Sequence, residues 1–279
     1  MAALPTMSAI TNGTPKRWLL AIGTCGTLFA LVILGTSMLL RLATIFGVDG
    51  HTISTLPASV ESAIRLAHRL SASGVGLLAI FAIILRLTRK DLPAQVVTSI
   101  TWIVAVTIVL ALIGPLTPGY RHAAVTVGNV AGGMVLLMAF CWLRESVRAD
   151  IAVSKPVEPL LRATIVFFLV HIATGAATSA YEMHGVRWVT FLHMSTALLS
   201  TSLIGASLWE RRDESTLGNW TAATTVFLVI QIALGVVLLW TVWRPIWLAF
   251  GHGMVSPMLA IALVSFAVRD GAITHRRGV

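Results

Sequence analysis

Eight apolar runs, each long enough to cross a bilayer and separated by short polar links, constrain this chain more than anything else in it. They lie at about Trp18–Leu40, Ser62–Leu87, Ala94–Leu116, His122–Leu143, Leu161–Ala180, Trp188–Trp209, Trp220–Trp240 and Pro245–Val268. A helix needs about 20 apolar residues to span the hydrocarbon. Backbone groups in lipid must bond within their own segment or around a closed barrel, and runs of this length without period-2 alternation fit helices. Composition agrees: of 279 residues 57% are hydrophobic and 11% charged, far below the roughly 25% charge of a soluble domain. The expectation is an all-α integral membrane protein of eight transmembrane helices.

The net charge of +9 resembles a nucleic-acid signal only until the charges are placed. One set of alternate links carries Lys16 and Arg17; Arg86, Arg89 and Lys90; Arg144, Arg148, Lys155 and Arg162; Arg211 and Arg212; and Arg269, Arg276 and Arg277. The other set carries Arg41, Arg121, Arg187 and Arg244. Lys and Arg concentrate on the cytoplasmic side of a membrane protein, so both termini are expected inside. The expected location is the plasma (inner) membrane, and no nucleic-acid partner is expected. Cys25 and Cys141 fall within apolar runs and read as small buried hydrophobes.

A weak internal repeat divides the spans into two sets of four. "QIALGVVLLWTVWRPIWLAFGHGMVSPMLAIALV" parallels "VLALIGPLTPGYRHAAVTVGNVAGGMVLLMAF", so that Gly235 aligns with Gly114 and His252 falls close to Asn129. "ILGTS" in the first span parallels "ATGAATS" in the fifth. The expected organisation is an N-terminal tail (1–17), a first four-helix bundle (18–144), a charged linker (145–160), a second bundle (161–268) and a C-terminal tail (269–279), the bundles related as a parallel repeat.

Even-numbered spans enter from the outer side, and His68, Asn129, His193 and His252 each lie one to two turns past that entry. Ionisable groups within a membrane span are costly and mark cofactors, ion paths or relays. Two histidines on facing helices can hold haem iron from both sides. His193 and His252 form such a pair. In the first bundle His68 has Asn129 opposite, or His122 in a shifted register. Arg69, Arg121, Arg187 and Arg244 lie at the level where anionic propionates would sit. His171, midway along the fifth span, reads as a hydrogen-bonding core residue, and membrane-buried acidic residues are not expected.

The "AHR" of the second span, the "FLHMSTALL" of the sixth and the "Q..LG" followed by "GH" at the eighth together resemble the heme A synthase family. The resemblance covers about Trp18 to Arg269. It implies a heme b between His193 and His252, and a first-bundle site where heme O is the substrate and heme A the product, with His68 and Arg69 facing it. Glu61 is the candidate for proton handling beside His68. Implied partners are the bilayer, the haem substrate, a heme O synthase and an electron donor; assembly into an oligomer stays open. This chain has Arg65 where the family usually carries an acid three residues before the histidine, Asn129 where it carries a fourth histidine, and no cysteine in the first outer loop. Two other readings remain at this stage: a haem-binding electron carrier without haem-modifying activity, and a cofactor-free small-molecule transporter.

Overall fold

The computed structural model describes residues 14–46, 52–116, 123–148, 158–181, 188–214, 217–241 and 246–277. Eight α-helices are present among them: α1 (Thr14–Leu42), α2 (Ala58–Thr88), α3 (Ala94–Ile113), α4 (Ala123–Arg148), α5 (Pro159–Tyr181), α6 (Trp188–Glu210), α7 (Gly218–Trp240) and α8 (Ile246–Arg277). Every one is long and apolar enough to cross a membrane. The chain is therefore an eight-span helical membrane protein. Several helices outrun their apolar cores: α1 and α2 each begin four residues before the expected span, and α8 continues through the residues expected to form a tail. The helix hydrogen-bond ladder runs on past the apolar stretch, because polar side chains at helix ends can reach interfacial water.

One element lies outside the expectation. Thr44–Phe46 (β1) pairs antiparallel with Thr52–Ser54 (β2), and Thr55 donates its backbone N–H to the Ala43 carbonyl at 2.7 Å, so this ribbon folds over the end of α1 and delivers the chain to α2. At Gly114–Leu116 the last turn of α3 tightens into a 3₁₀ turn, where Pro115 has no N–H to give.

Large apolar side chains face outward as well as inward, and hydroxyls are buried between the helices. Leu77, Leu112, Phe191 and Leu198 are about 70% exposed, whereas Thr164, Thr224 and Ser265 have no exposed surface. Lipid is as apolar as leucine, so helices associate through small residues and interhelical hydrogen bonds rather than by hiding hydrophobes. Thr164 and Ser207 join α5 to α6 at 2.9 Å, and Ser146 reaches Gln95 between α4 and α3. Glycine sets the closest approach of α1 to α4: a Cβ on Gly23 would meet Arg144 at 2.8 Å, and one on Gly26 would overlap the Phe140 ring. Gly26→Val should therefore lower the yield of monodisperse protein in detergent, since overpacking a tight contact costs about 1–3 kcal/mol. Unchanged size-exclusion behaviour and thermal stability would show that α1 and α4 can separate without loss.

The two sets of four helices pack differently. In the first, α1 touches α2 and α4, and α3 touches α2 and α4, closing a ring. In the second, the hairpins α5–α6 and α7–α8 are each closely packed but meet only sparsely along α6–α7 and α5–α8. The sets are welded by α4 against α5 and α8, and by α1 against α8.

At the arginine-rich ends, outside the expected apolar spans, acidic side chains are buried. Glu145 on α4 has no exposed surface and accepts from Arg144 at 2.9 Å, Arg148 at 3.4 Å and Arg269 of α8 at 3.0 Å. Asp270, 4% exposed, pairs with Arg211 at 2.8 Å, and Arg211 also binds Glu158. Single-residue composition hides this, since a carboxylate becomes tolerable inside once guanidinium groups from neighbouring turns and helices enclose it.

Candidate functional site: imidazoles held by the preceding helix

Three of the matched polar residues are held by the helix that precedes theirs, two of them by the same construction. On α2, His68 is half-buried, and its Nδ1 lies 3.1 Å from Thr36 Oγ1 on α1. The single hydroxyl proton of Thr36 goes to its own helix, to the carbonyls of Val32 at 2.6 Å and Ile33 at 3.1 Å. With that proton on its own helix, Oγ1 is free to accept from the ring, an arrangement that would put the imidazole proton on Nδ1 and leave a lone pair on Nε2. That tautomer is the one a metal-ligating histidine usually takes.

The same device recurs on α6. His193 Nδ1 lies 3.3 Å from Thr174 Oγ1 on α5, and Thr174 donates to the His171 carbonyl at 2.9 Å. Thr196, one turn along from His193, meets Thr174 at 2.8 Å and donates back to the His193 carbonyl. Gly175 makes room: a Cβ there would sit 2.9 Å from His193 Cε1. The His171 ring stacks on His193 with centroids 4.4 Å apart and planes 5° from parallel.

On α8, His252 packs against Gly235 of α7, where a Cβ would come 3.2 Å from its Cε1. Its Nε2 accepts from the Gln231 amide at 3.3 Å, and the same amide donates to Ser256 at 2.8 Å. Nδ1 of His252 is buried without a hydrogen bond. His252 faces the interior near enough to His171 and His193 to act on both electrostatically. The α5–α6 and α7–α8 hairpins thus present imidazoles across their thinly packed seam.

Glycine contacts also place Asn129. Gly251, just before His252, faces Leu234 at 3.9 Å; Gly128, just before Asn129, faces Ile113 at 3.3 Å, and Gly132 faces Leu110. Asn129 therefore occupies on α4 the register that His252 occupies on α8. His122, Arg121, Arg187 and Arg244 lie outside the described residues. Arg69 is exposed on α2. Glu61 is bound by Arg65 at 2.7 Å and by Ser54 of β2, two turns from His68; its carboxylate is engaged in an ion pair at the mouth of the helix.

Sequence reasoning left out the residues that hold the imidazoles. Thr36, Thr174 and Gln231 stand in the "ILGTS", "ATGAATS" and "Q..LG" segments, which carried the repeat without a role attached. His171, read as a hydrogen-bonding core residue, is a stacking partner whose Nδ1 makes no hydrogen bond.

Among the described residues no three His, Cys, Asp or Glu side chains converge as a metal-ion cage. Two imidazoles suit a macrocycle that brings four equatorial nitrogens of its own. In the second bundle His193 and His252 are the two imidazoles that would hold such a group: Gly175 and Gly235 seat their rings, and His252 Nε2 would exchange its contact with the Gln231 amide for the metal. The described part of the first bundle offers one imidazole, His68, and one amide, Asn129. What these features define is an eight-span helical membrane protein with histidines held in its interior by the preceding helix. No protein-family model matches the chain, and no curated protein matches its sequence.

Proposed function

We propose that this protein is a haem-binding membrane oxidoreductase of the heme A synthase type, acting on a heme O substrate by oxidation of a ring methyl. The observation that carries the reading is the repeated pairing of an imidazole Nδ1 with a threonine of the preceding helix, His68 with Thr36 and His193 with Thr174. In this reading His193 and His252 hold a heme b across the seam of the second bundle, and His68 faces the substrate haem. Haem iron supplies the one-electron chemistry when bound.

The chain's own residues bind, orient and exclude water. Thr36 and Thr174 keep the imidazole protons on Nδ1. Arg69 lies one residue from His68, and Arg121, Arg187 and Arg244 begin or precede their helices in the sequence, where guanidinium pairs well with propionate. Lipid-facing leucines around the bundles keep the interior dry. The arginine-rich end is read as cytoplasmic and the membrane as the plasma membrane, with a heme O synthase and an electron donor as partners.

A second reading, a haem-carrying electron-transfer protein without haem-modifying activity, is favoured by two observations. Asn129 stands at the fourth position, and Glu61 is occupied by Arg65. Co-expression with a source of heme O, followed by extraction and mass analysis of the haem, separates the two. Heme A among the products is the expected result; heme B or heme O alone would leave the electron carrier as the surviving reading.

A further inference from the structure

Ile33, His171 and Gln231 stand on the helices that precede His68, His193 and His252: the Ile33 carbonyl accepts from the Thr36 hydroxyl that meets His68, the His171 ring stacks on His193, and the Gln231 amide donates to His252. Three residues farther along stand Thr36, Thr174 and Leu234, and one more brings Ser37, Gly175 and Gly235. Residues at i, i+3 and i+4 share one helix face, so α1, α5 and α7 each offer the next histidine a three-residue cradle. At His193 both later places serve the imidazole edge, Thr174 through Nδ1 and Gly175 through the space beside Cε1; at His68 Thr36 does so, and at His252 Gly235. The first place differs in chemistry from site to site: an aliphatic side chain, an imidazole and an amide.

At His193 that first residue is His171, which is 7% exposed, has its Nδ1 unpartnered and lies parallel over the His193 ring. Thr174 restrains the His193 ring in its own plane, Gly175 receives its edge, and His171 covers one face. Rotation of the imidazole about its bond to Cβ is thereby blocked from the α5 side. We infer that His171 is a positioning residue that fixes the plane of the His193 imidazole, and that this cradle position is where the chain sets the character of each histidine separately. His171 touches no iron in this scheme; it acts through His193. For haem the inference rests on the function proposed above, since the orientation of an axial imidazole governs its overlap with the iron and its hold on the metal.

The test uses the full chain in lipid nanodiscs with 15N-labelled histidine. A protected His193 Nδ1–H signal is expected in the wild type. His171→Ala should broaden or abolish it while the His68 signal, beside Ile33, stays unchanged, and His171→Phe, which keeps a flat face, should restore it. In haem-loaded protein His171→Ala should shift the g values of the oxidised low-spin centre and speed haem loss to apomyoglobin about tenfold, the scale on which outer-shell partners act. An unaltered His193 signal in His171→Ala, or failure of His171→Phe to restore it, overturns the inference. A wild type without a Soret band instead overturns the haem reading, while the ring signals still decide whether His171 positions His193.

Discussion

Replacing His193 by alanine is expected to abolish the b-type Soret and α bands of the purified protein, whereas His68→Ala should leave them in place. The two histidines look alike in sequence and share the threonine-held Nδ1, so the asymmetry comes from what lies opposite. His193 faces a seam with another imidazole, His252, beyond it, and a haem held by both would lose much of its hold with either one gone. His68 shares its bundle with Asn129, and the four helices around it close into a packed ring. An outer-shell change costs about 10–100-fold in metal affinity; removal of the ligand itself should exceed that and empty the site at micromolar protein. Equal loss of signal in both variants would show that the bundles carry equivalent sites and would remove the inequivalence on which the second reading depends.

Glu145→Gln should produce the largest loss of stability. The Glu145 carboxylate has no exposed surface and is the common acceptor for Arg144, Arg148 and Arg269. Arg269 is also 5.3 Å from the Trp220 ring centroid, so one guanidinium links α4, α7 and α8. Neutralising the carboxylate leaves guanidinium groups crowded together with no compensating charge at the weld between the two sets of helices. Breaking a buried ion pair by removing one partner costs about 3–5 kcal/mol. The expected outcome is a clear drop in the thermal midpoint in detergent, accompanied by looser association of α8 with α4. A midpoint shift equivalent to under about 1 kcal/mol, the usual worth of a surface pair, would mean that water already reaches the cluster.

Much of this protein was legible without coordinates. Length and apolarity of the eight runs imposed helices, because lipid offers no partner to a bare peptide group. The matched placing of His68, Asn129, His193 and His252 followed from counting residues past each helix entry. The alignment of Asn129 with His252 now has a packing counterpart in Gly128 and Gly251. What stayed hidden depended on neighbours distant in sequence. Thr174 and His193 are separated by 19 positions and Glu145 and Arg269 by 124, and neither pairing has a periodic signature.

The sequence by itself determined that the chain crosses the membrane eight times and that His68, His193 and His252 fall in even-numbered spans. Those properties are sums over single residues and their spacing along one helix. Only the tertiary structure decided that a threonine on the preceding helix pins His68 and His193, that His171 stacks on His193, and that the second set of helices meets along a thin seam. These are relations between helices, set by which faces meet and how closely glycine lets them approach.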